Sequence, residues 1–121
     1  MKLIEIINAR NVIDEISDSK DIGTHLGYAM AKFIVTTQTD AEFYSKEVRK
    51  LFDKYGEASE NGKTIIKPEN IDAFSHDVQA LQNTEADDPK IRFSLSELMK
   101  GLKLSMKQIY ALMQFIIEDE S

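Results

Sequence analysis

The sequence predicts a mainly α-helical single domain spanning residues 1–121, in which one long helix is packed by several short helices. A minor β element of two or three strands is the only β structure expected. Apolar residues recur at intervals of three, four or seven over most of the chain, which is the spacing of helices with one buried face. With 121 residues, 42% apolar and 30% charged, the chain has the size and composition of one globular domain.

The first segment is rich in β-branched residues over positions 1–7, which favours a short strand followed by a helix capped at Asn8. A single helix from Leu3 to Ile16 is the alternative, because the apolar residues also fall on one helical face. That face would consist of Leu3, Ile6, Ile7, Ile13 and Ile16. Both interpretations place the segment in the core.

The dominant element is a predicted helix over residues 19–55, which would be about 54 Å long if it were unbroken. Its apolar stripe consists of Leu26, Met30, Phe33, Thr37, Tyr44, Val48, Leu51 and Tyr55. The β-branched run at residues 34–39 is its weak point, since such side chains lose rotamer freedom in a helix. The sequence therefore allows a kink or break between Thr36 and Asp40. Gly23 and Gly27 predict a close helix crossing near the start of this helix.

Turn signals and caps define the second half of the chain. Gly56 is expected to end the long helix in a left-handed conformation, and Asn61-Gly62 predicts a tight turn before a strand at residues 63–67. Pro68 begins a helix whose inward stripe consists of Ile71, Phe74, Val78 and Leu81. An acidic loop over residues 83–90 and a short strand at residues 91–93 follow.

Two short helices with capping boxes close the chain, one beginning at Ser94 and the other at Ser105. The inward side chains of the first helix are Leu95, Leu98, Met99 and Leu102. Those of the second are Ile109, Leu112, Met113 and Ile116. The acidic end over residues 118–121 is expected to be frayed, because negative charge is unfavourable at a helix C-terminus.

Charge and composition exclude several function classes. Fifteen Lys and Arg against 21 Asp and Glu give a net charge of −6, which disfavours direct binding of nucleic acid. The chain has no cysteine, so disulfides, thiolate metal sites and a cysteine nucleophile are excluded. No apolar run approaches the roughly 20 residues that span a bilayer, and no signal peptide is recognisable, so we expect a cytoplasmic protein.

Catalytic and metal-binding patterns are also lacking, and the sequence predicts no enzyme activity, no cofactor and no metal. There is no serine nucleophile elbow and no phosphate-binding glycine loop. Asp72 with His76, and Asp21 with His25, have the spacing of two ligands on one helical face, but neither pair has a third ligand nearby. The two C-terminal helices loosely suggest a DNA-binding helix-turn-helix, which their lack of arginine makes the weakest alternative.

Protein binding remains as the favoured class. Because the neighbouring elements are shorter than the predicted long helix, they would cover its stripe only if laid end to end, which would leave part of it for a partner. The predicted docking face consists of Tyr44, Val48, Leu51, Phe52 and Tyr55. A monomer whose stripe is fully covered, and a homo-oligomer, are alternatives that the sequence leaves open.

The order of short segments along nearly the whole chain resembles a family of small, functionally unassigned proteins encoded by phages and prophages of Gram-positive bacteria. The segments are residues 1–10, 54–57, 61–63, 67–71, 84–85, 93–95 and 103–105, with Phe74, Leu81, Ile109, Ala111, Leu112, Phe115 and Ile116. The resemblance implies a phage origin and a protein that is not secreted, and it brings no catalytic residues. Asp40, Glu42 and Glu47 depart from the family's basic long helix.

Two functions follow as hypotheses. The first is an accessory or assembly factor that binds another phage protein, such as a structural protein, through the docking face on the long helix. The second is an inhibitor of a host defence nuclease, whose basic surface would be covered by acidic side chains. The acidic contacts predicted for the second function are Glu57, Glu60, Glu85, Asp87 and Asp88.

Overall fold

The computed structural model describes residues 1–118 and confirms a mainly α-helical fold. Its α-helices are α1 (Leu3–Ile16), α2 (Thr24–Thr36), α3 (Gln38–Tyr55), α4 (Ile71–Gln82), α5 (Leu95–Met99) and α6 (Met106–Leu112). Its strands are β1 (Gly56–Ala58), β2 (Thr64–Ile66), β3 (Phe93–Ser94) and β4 (Ile116–Ile117). Single 3₁₀ turns at Pro68–Asn70 and Met113–Phe115 precede α4 and follow α6. Within residues 1–118, none of the helices has the length and apolarity needed to cross a membrane.

The main core lies in a part that we call the body, which comprises α1, α2 and residues 83–118. Three phenylalanine rings stand at its centre, with the Phe33 ring centroid 5.6 Å from that of Phe93 and 4.9 Å from that of Phe115. All three side chains are fully buried. The other buried members of this cluster are Ile6, Ala9, Val12, Ile13, Leu26, Met30, Ile91, Leu98 and Leu112. β3 and β4 form a short parallel pair beside it, with Phe93 opposite Ile116.

The remaining elements form what we call the arm, which comprises α3, β1, β2 and α4. β1 and β2 pair as an antiparallel hairpin in which Gly56 lies opposite Ile66. α3 contains no buried residue, and Leu81 is the buried residue of α4. The two helices contact each other through half-buried aromatic rings near the hairpin. The arm is therefore held by a much smaller apolar cluster than the body.

The N-terminal segment is helical, so the predicted strand at residues 1–7 and the cap at Asn8 are wrong. α1 runs unbroken over Leu3–Ile16, which is the alternative that the apolar spacing allowed. Burial decides the outcome, because one helical face places Leu3, Ile6 and Val12 in the core and this outweighs a local β preference. A single antiparallel bridge between Lys2 and Glu85 is the β pairing that this segment makes.

The long helix is interrupted at Thr37, inside the predicted window, so one continuous helix does not form over residues 19–55. Thr37 leaves helical geometry with φ −100° and ψ 9°, and its buried hydroxyl donates a hydrogen bond to the Phe33 carbonyl at 2.7 Å. The Arg10 guanidinium fixes the break by donating to the Ile34 carbonyl at 2.7 Å and to Thr37 Oγ1 at 2.8 Å. The helix also begins at Thr24 and not at residue 19, because residues 17–23 form an irregular segment with turns.

Two glycine predictions need correction. Gly56 ends α3 in an extended conformation with φ −95°, not in the left-handed region. A Cβ at Gly56 would lie 2.5 Å from the Phe52 carbonyl oxygen and 2.6 Å from Thr64 Cγ2, so glycine is required there by close packing. Gly27 is not at a close helix crossing, since a Cβ there would make only an ordinary 3.5 Å contact with Ile22. The turn at Asn61-Gly62 is confirmed, with Gly62 at φ +78°.

The C-terminal caps are confirmed, but the end of the last helix is not where the spacing places it. Ser94 and Ser105 each accept a hydrogen bond from the backbone three residues later. α6 stops at Leu112, and the 3₁₀ turn that follows brings Phe115 into the core and leaves Met113 57% exposed. Met113 is therefore not inward, and Met99 is also exposed. The frayed end predicted for residues 118–121 falls largely on residues 119–121, which lie outside the described part.

Candidate protein-binding site

A row of exposed apolar side chains lies on α6 and the turn that follows it. The exposed fractions of Met106, Tyr110 and Met113 are 86%, 79% and 57%. Positions four and seven residues apart share one face of a helix, so these side chains form a continuous row that we call the α6 stripe. On the other side of the same helix, Leu112 is fully buried. α6 therefore has two apolar faces. One packs against the core, and the other is exposed to solvent.

The local sequence explains why these side chains face solvent. The Ser105 cap, in which Gln108 closes the capping box, fixes the start of α6 and therefore the phase of its faces. Leu112 and Phe115 then anchor the end of the element in the core. With both ends fixed, the row that starts at Met106 must point away from the body. The sequence indicates this site by a second apolar row on a short helix. That row was not recognised because Met113 was predicted to point inward.

The α6 stripe forms one wall of an open groove of about 1000 Å³, whose other wall is α1. We call it the α1–α6 groove. The residues that α1 contributes include Ile4, Asn8, Asn11 and Glu15, which repeat at helical spacing along one face. From Ile4 to Glu15 this wall is roughly 16 Å long at about 1.5 Å per residue. The groove therefore has the length of three helical turns, with a mostly polar wall on α1 and a mostly apolar wall on α6.

Charged side chains stand at the two ends of the groove. Lys2 and Glu5 lie at the N-terminal end of α1, where the Lys2 amide donates to Glu5 Oε1 at 3.3 Å. Glu15 lies at the opposite end and accepts a hydrogen bond from Gln108 Nε2 at 2.9 Å, which places the neighbouring Lys107 at that end too. Each end thus carries one lysine and one glutamate. The formal charges of these four side chains cancel, whereas the whole chain carries −6.

The residues predicted as the docking face all lie on α3, but part of this face is already covered by contacts within the chain. Tyr44, Val48, Leu51, Phe52 and Tyr55 are all half-buried. The Phe52 and Tyr55 ring centroids lie 5.2 and 6.2 Å from that of Phe74 on α4. These aromatic residues hold the arm together, so part of their surface is covered within the chain.

A polar contact reinforces the same junction. The Tyr55 hydroxyl donates to Asp77 Oδ2 at 2.5 Å, and this bond is the main cause that lowers the pKa of the Asp77 carboxyl. His76 and Lys54 act in the same direction, with Lys54 Nζ 3.9 Å from that carboxylate. These polar contacts link α3 to α4.

The five predicted acidic contacts fall into two separate groups. Glu57 and Glu60 belong to the β1–β2 hairpin, which precedes α4, whereas the other three follow α4. The twelve residues of α4 place about 18 Å of helix between the groups. Asp88 is also engaged, because Arg92 donates to both of its oxygens at 3.1 and 2.7 Å, which lowers the Asp88 pKa to about 2.

Glu85 and Asp87 complete the second group. The Met1 amino group lies 2.6 Å from Glu85 Oε1, so the Glu85 carboxylate is in an ion pair within the chain. Asp87 is exposed in the same loop. The structure does not gather Glu57, Glu60, Glu85, Asp87 and Asp88 into one surface.

The two histidine pairs do not build a metal site. His25 Nδ1 lies 2.6 Å from Glu97 Oε1 on α5, and His76 Nδ1 lies 3.5 Å from Asp77 Oδ1. Among residues 1–118, no group of three or more His, Asp or Glu side chains could hold a metal ion.

The C-terminal helices have dimensions that bear on the DNA-binding alternative. α5 has five residues and α6 has seven, and α6 packs chiefly against α1. Its exposed side chains are mainly those of the Met106–Tyr110–Met113 row, beside the single lysine Lys107. Comparison with known proteins adds no assignment, because no family model, no curated protein and no solved structure matches the chain.

Proposed function

We propose that this protein acts by binding another protein chain on the α6 stripe and the adjoining α1–α6 groove, and that it is not an enzyme. The observation that supports this proposal is the exposure of three large side chains, between 57% and 86%, on one face of α6. Single exposed apolar residues are ordinary, but a contiguous row on a protein surface marks interaction sites. Burying each such side chain in an interface is worth roughly 1.5–3 kcal/mol.

The residue types in the row also suit protein binding. Methionine has a flexible, polarizable side chain that adapts to irregular partner surfaces, and it is used at such surfaces for that reason. Tyrosine contributes a large rigid contact area with few rotatable bonds, and it is frequent among energetically dominant interface residues. Tyr110 stands between Met106 and Met113 in the row. We therefore expect Tyr110 to contribute most to partner binding.

The groove supports binding better than catalysis because its carboxylate and ammonium groups lie at its two ends and not in its middle. Lys2 and Glu15 stand at opposite ends of α1, about 20 Å apart along the helix axis. A general acid and base must reach the same substrate atoms, which requires groups within hydrogen-bonding distance of one site. The middle of the groove is lined by the amides Asn8 and Asn11 and by the α6 stripe. Such a surface can recognise a chain, but its middle holds no carboxylate beside an ammonium group.

The accessory or assembly role implied by the phage-family resemblance is the version that we favour. An inhibitor of a nuclease would need its acidic side chains on one face, and α4 separates them into two groups. We place the docking surface on α6 and not on α3, because Phe52 and Tyr55 already pack against Phe74. The α6 stripe, by contrast, faces solvent along its whole length.

Site-specific photocrosslinking tests this proposal. A photoreactive phenylalanine analogue is placed at Tyr110 and, in a matched control, at Tyr28 of α2, which is 69% exposed but lies outside the groove. A third version carries the analogue at Phe43, which is 46% exposed on α3. In cells that naturally encode the chain, we expect one discrete protein adduct from position 110 and none from position 28. Adducts from position 43 alone would place the binding surface on α3 and refute the proposal.

A further inference from the structure

We propose that the chain that covers the α1–α6 groove is a second copy of this protein, docked in the antiparallel direction about a twofold axis with α6 on α6 and α1 on α1. This inference rests on the proposed function, because it names the partner of the same site. A twofold interface is formed by the same patch on both subunits, so that patch must be complementary to itself. The groove meets this requirement in its charges, its length and its apolar wall.

The charges on the α1 wall suit antiparallel docking of like walls. One end of the groove carries Lys2 with Glu5, and the other carries Glu15 with Lys107. When two copies meet antiparallel, each end faces the opposite end of the other copy. Lys2 then approaches Glu15 of the second copy, because both residues belong to the α1 wall. The twofold axis repeats this pair, so the interface contains two Lys2–Glu15 contacts.

Charge balance also distinguishes this face from the rest of the molecule. Two copies that each carry a net charge of −6 repel one another at most relative orientations. The formal charges lining the groove sum to zero, because Lys2 and Lys107 offset Glu5 and Glu15. Contact through this face therefore adds no net repulsion within the interface.

The apolar wall supplies the attraction. The antiparallel arrangement lays one α6 stripe along the other, so that methionine and tyrosine side chains of both copies are removed from water together. Methionine side chains can adjust to one another in such a contact. The polar wall of α1 meets its own counterpart, and Asn8 and Asn11 provide both hydrogen-bond donors and acceptors there.

Sedimentation equilibrium with a charge exchange tests the inference on the full chain. Lys2→Glu and Glu15→Lys each place like charges across the twofold axis, and the double variant restores opposite charges. Both changes suit their helix ends, since a carboxylate favours the N-terminus of α1 and an ammonium group its C-terminus. Circular dichroism of each variant confirms that the fold is retained.

We expect the wild-type protein to move from the single-chain mass of 13.8 kDa towards twice that mass as its concentration rises. Each single variant should raise the dimer dissociation constant by roughly tenfold or more, because two opposed pairs become two repulsive ones. The double variant should return it to within about threefold of the wild type. Tyr110→Glu should abolish the dimer, and the matched change Tyr28→Glu should leave it unaltered.

A wild-type protein that keeps the single-chain mass at every concentration would overturn the inference. So would a folded double variant that associates no better than either single variant. The proposed function has a separate outcome, since a Tyr110 adduct to a different protein alongside a single-chain mass would leave protein binding intact. Absence of both the dimer and the adduct would remove the proposed function as well.

Discussion

The body and the arm are built from helices with similar apolar spacing, yet they bury their side chains to very different depths. Phe33, Phe93 and Phe115 are fully buried in the body, whereas α3 has 18 residues and none is buried. The arm is covered on fewer sides, because α3 packs chiefly on α4. Periodicity therefore indicates which helix face turns inward and not how completely that face is covered. The α6 stripe therefore belongs to the more deeply packed of the two regions.

The largest effect is expected from the centre of the body. Phe33→Ala should destabilise the protein by about 3–5 kcal/mol, because it leaves a cavity between two buried rings. Urea unfolding followed by circular dichroism measures the change in the free energy of unfolding. A loss of less than about 1 kcal/mol would show that the body does not depend on this cluster.

Gly56 gives the next effect, and it tests close packing in the arm. Gly56→Ala should cost about 1–3 kcal/mol, because the added methyl group would overlap the Phe52 carbonyl and the Thr64 side chain. Gly27→Ala is the matched control, since α2 has room for the methyl group there and alanine favours a helix by about 0.5–1 kcal/mol. The two substitutions should therefore shift the urea midpoint in opposite directions. Equal shifts would contradict the packing described at Gly56.

The comparison between body and arm is sharpest at Phe74. Phe74→Ala removes the ring that both Phe52 and Tyr55 contact, but all three side chains are only half-buried. We expect a loss of about 1–2 kcal/mol, well below that of Phe33→Ala, because less apolar surface is exposed to water. Hydrogen exchange should show the loss mainly in the arm. If Phe74→Ala costs as much as Phe33→Ala, the distinction between the two regions is wrong.

Acidification should give the smallest effect and should act on the arm. The Tyr55 hydroxyl lowers the pKa of Asp77 below its ordinary value of 3.8 in the folded protein. This contribution to stability is therefore fully present above that value and is lost as the pH falls through the lower folded pKa. Urea unfolding of the wild type and of Asp77→Asn should differ at neutral pH and converge under strong acid. Asp72→Asn, an exposed change on the same helix, is the control. A stability difference between the wild type and Asp77→Asn that does not depend on pH would contradict a role for the Asp77 carboxylate.

The sequence predicts those features of the fold that local chemistry determines. The caps at Ser94 and Ser105 and the turn at Gly62 depend on residues within one turn of the chain, and all three are where expected. Residues 1–7 could not be assigned in the same way, because their β-branched run suits a strand and their spacing suits a helix. Burial against the rest of the body decides that choice, and burial is not a local property.

The candidate site was hidden by a similar ambiguity. Met113 fits the inward row of a helix that continues to Ile116, but the chain changes to a 3₁₀ turn after Leu112. Because a 3₁₀ turn has three residues per turn, it changes which side chains point to the core, and Phe115 takes the inward position. The position of the break at Thr37 likewise depends on Arg10, which comes from a different helix. Neither the 3₁₀ turn after Leu112 nor the contact of Arg10 with Thr37 can be predicted from sequence spacing alone.

Hydroxyl-radical footprinting of the protein across its association range tests most directly whether the α6 stripe is a binding surface. Oxidation of Met106 and Met113 depends on their exposure, and the exposed Met99 outside the groove is an internal reference of the same chemistry. If the α6 stripe is the binding surface, oxidation at positions 106, 110 and 113 falls as the protein associates, while Met99 and Tyr28 stay unchanged. Protection confined to the α3 residues Phe43 and Tyr44, with the α6 stripe fully reactive, would show that the binding surface lies on α3 instead.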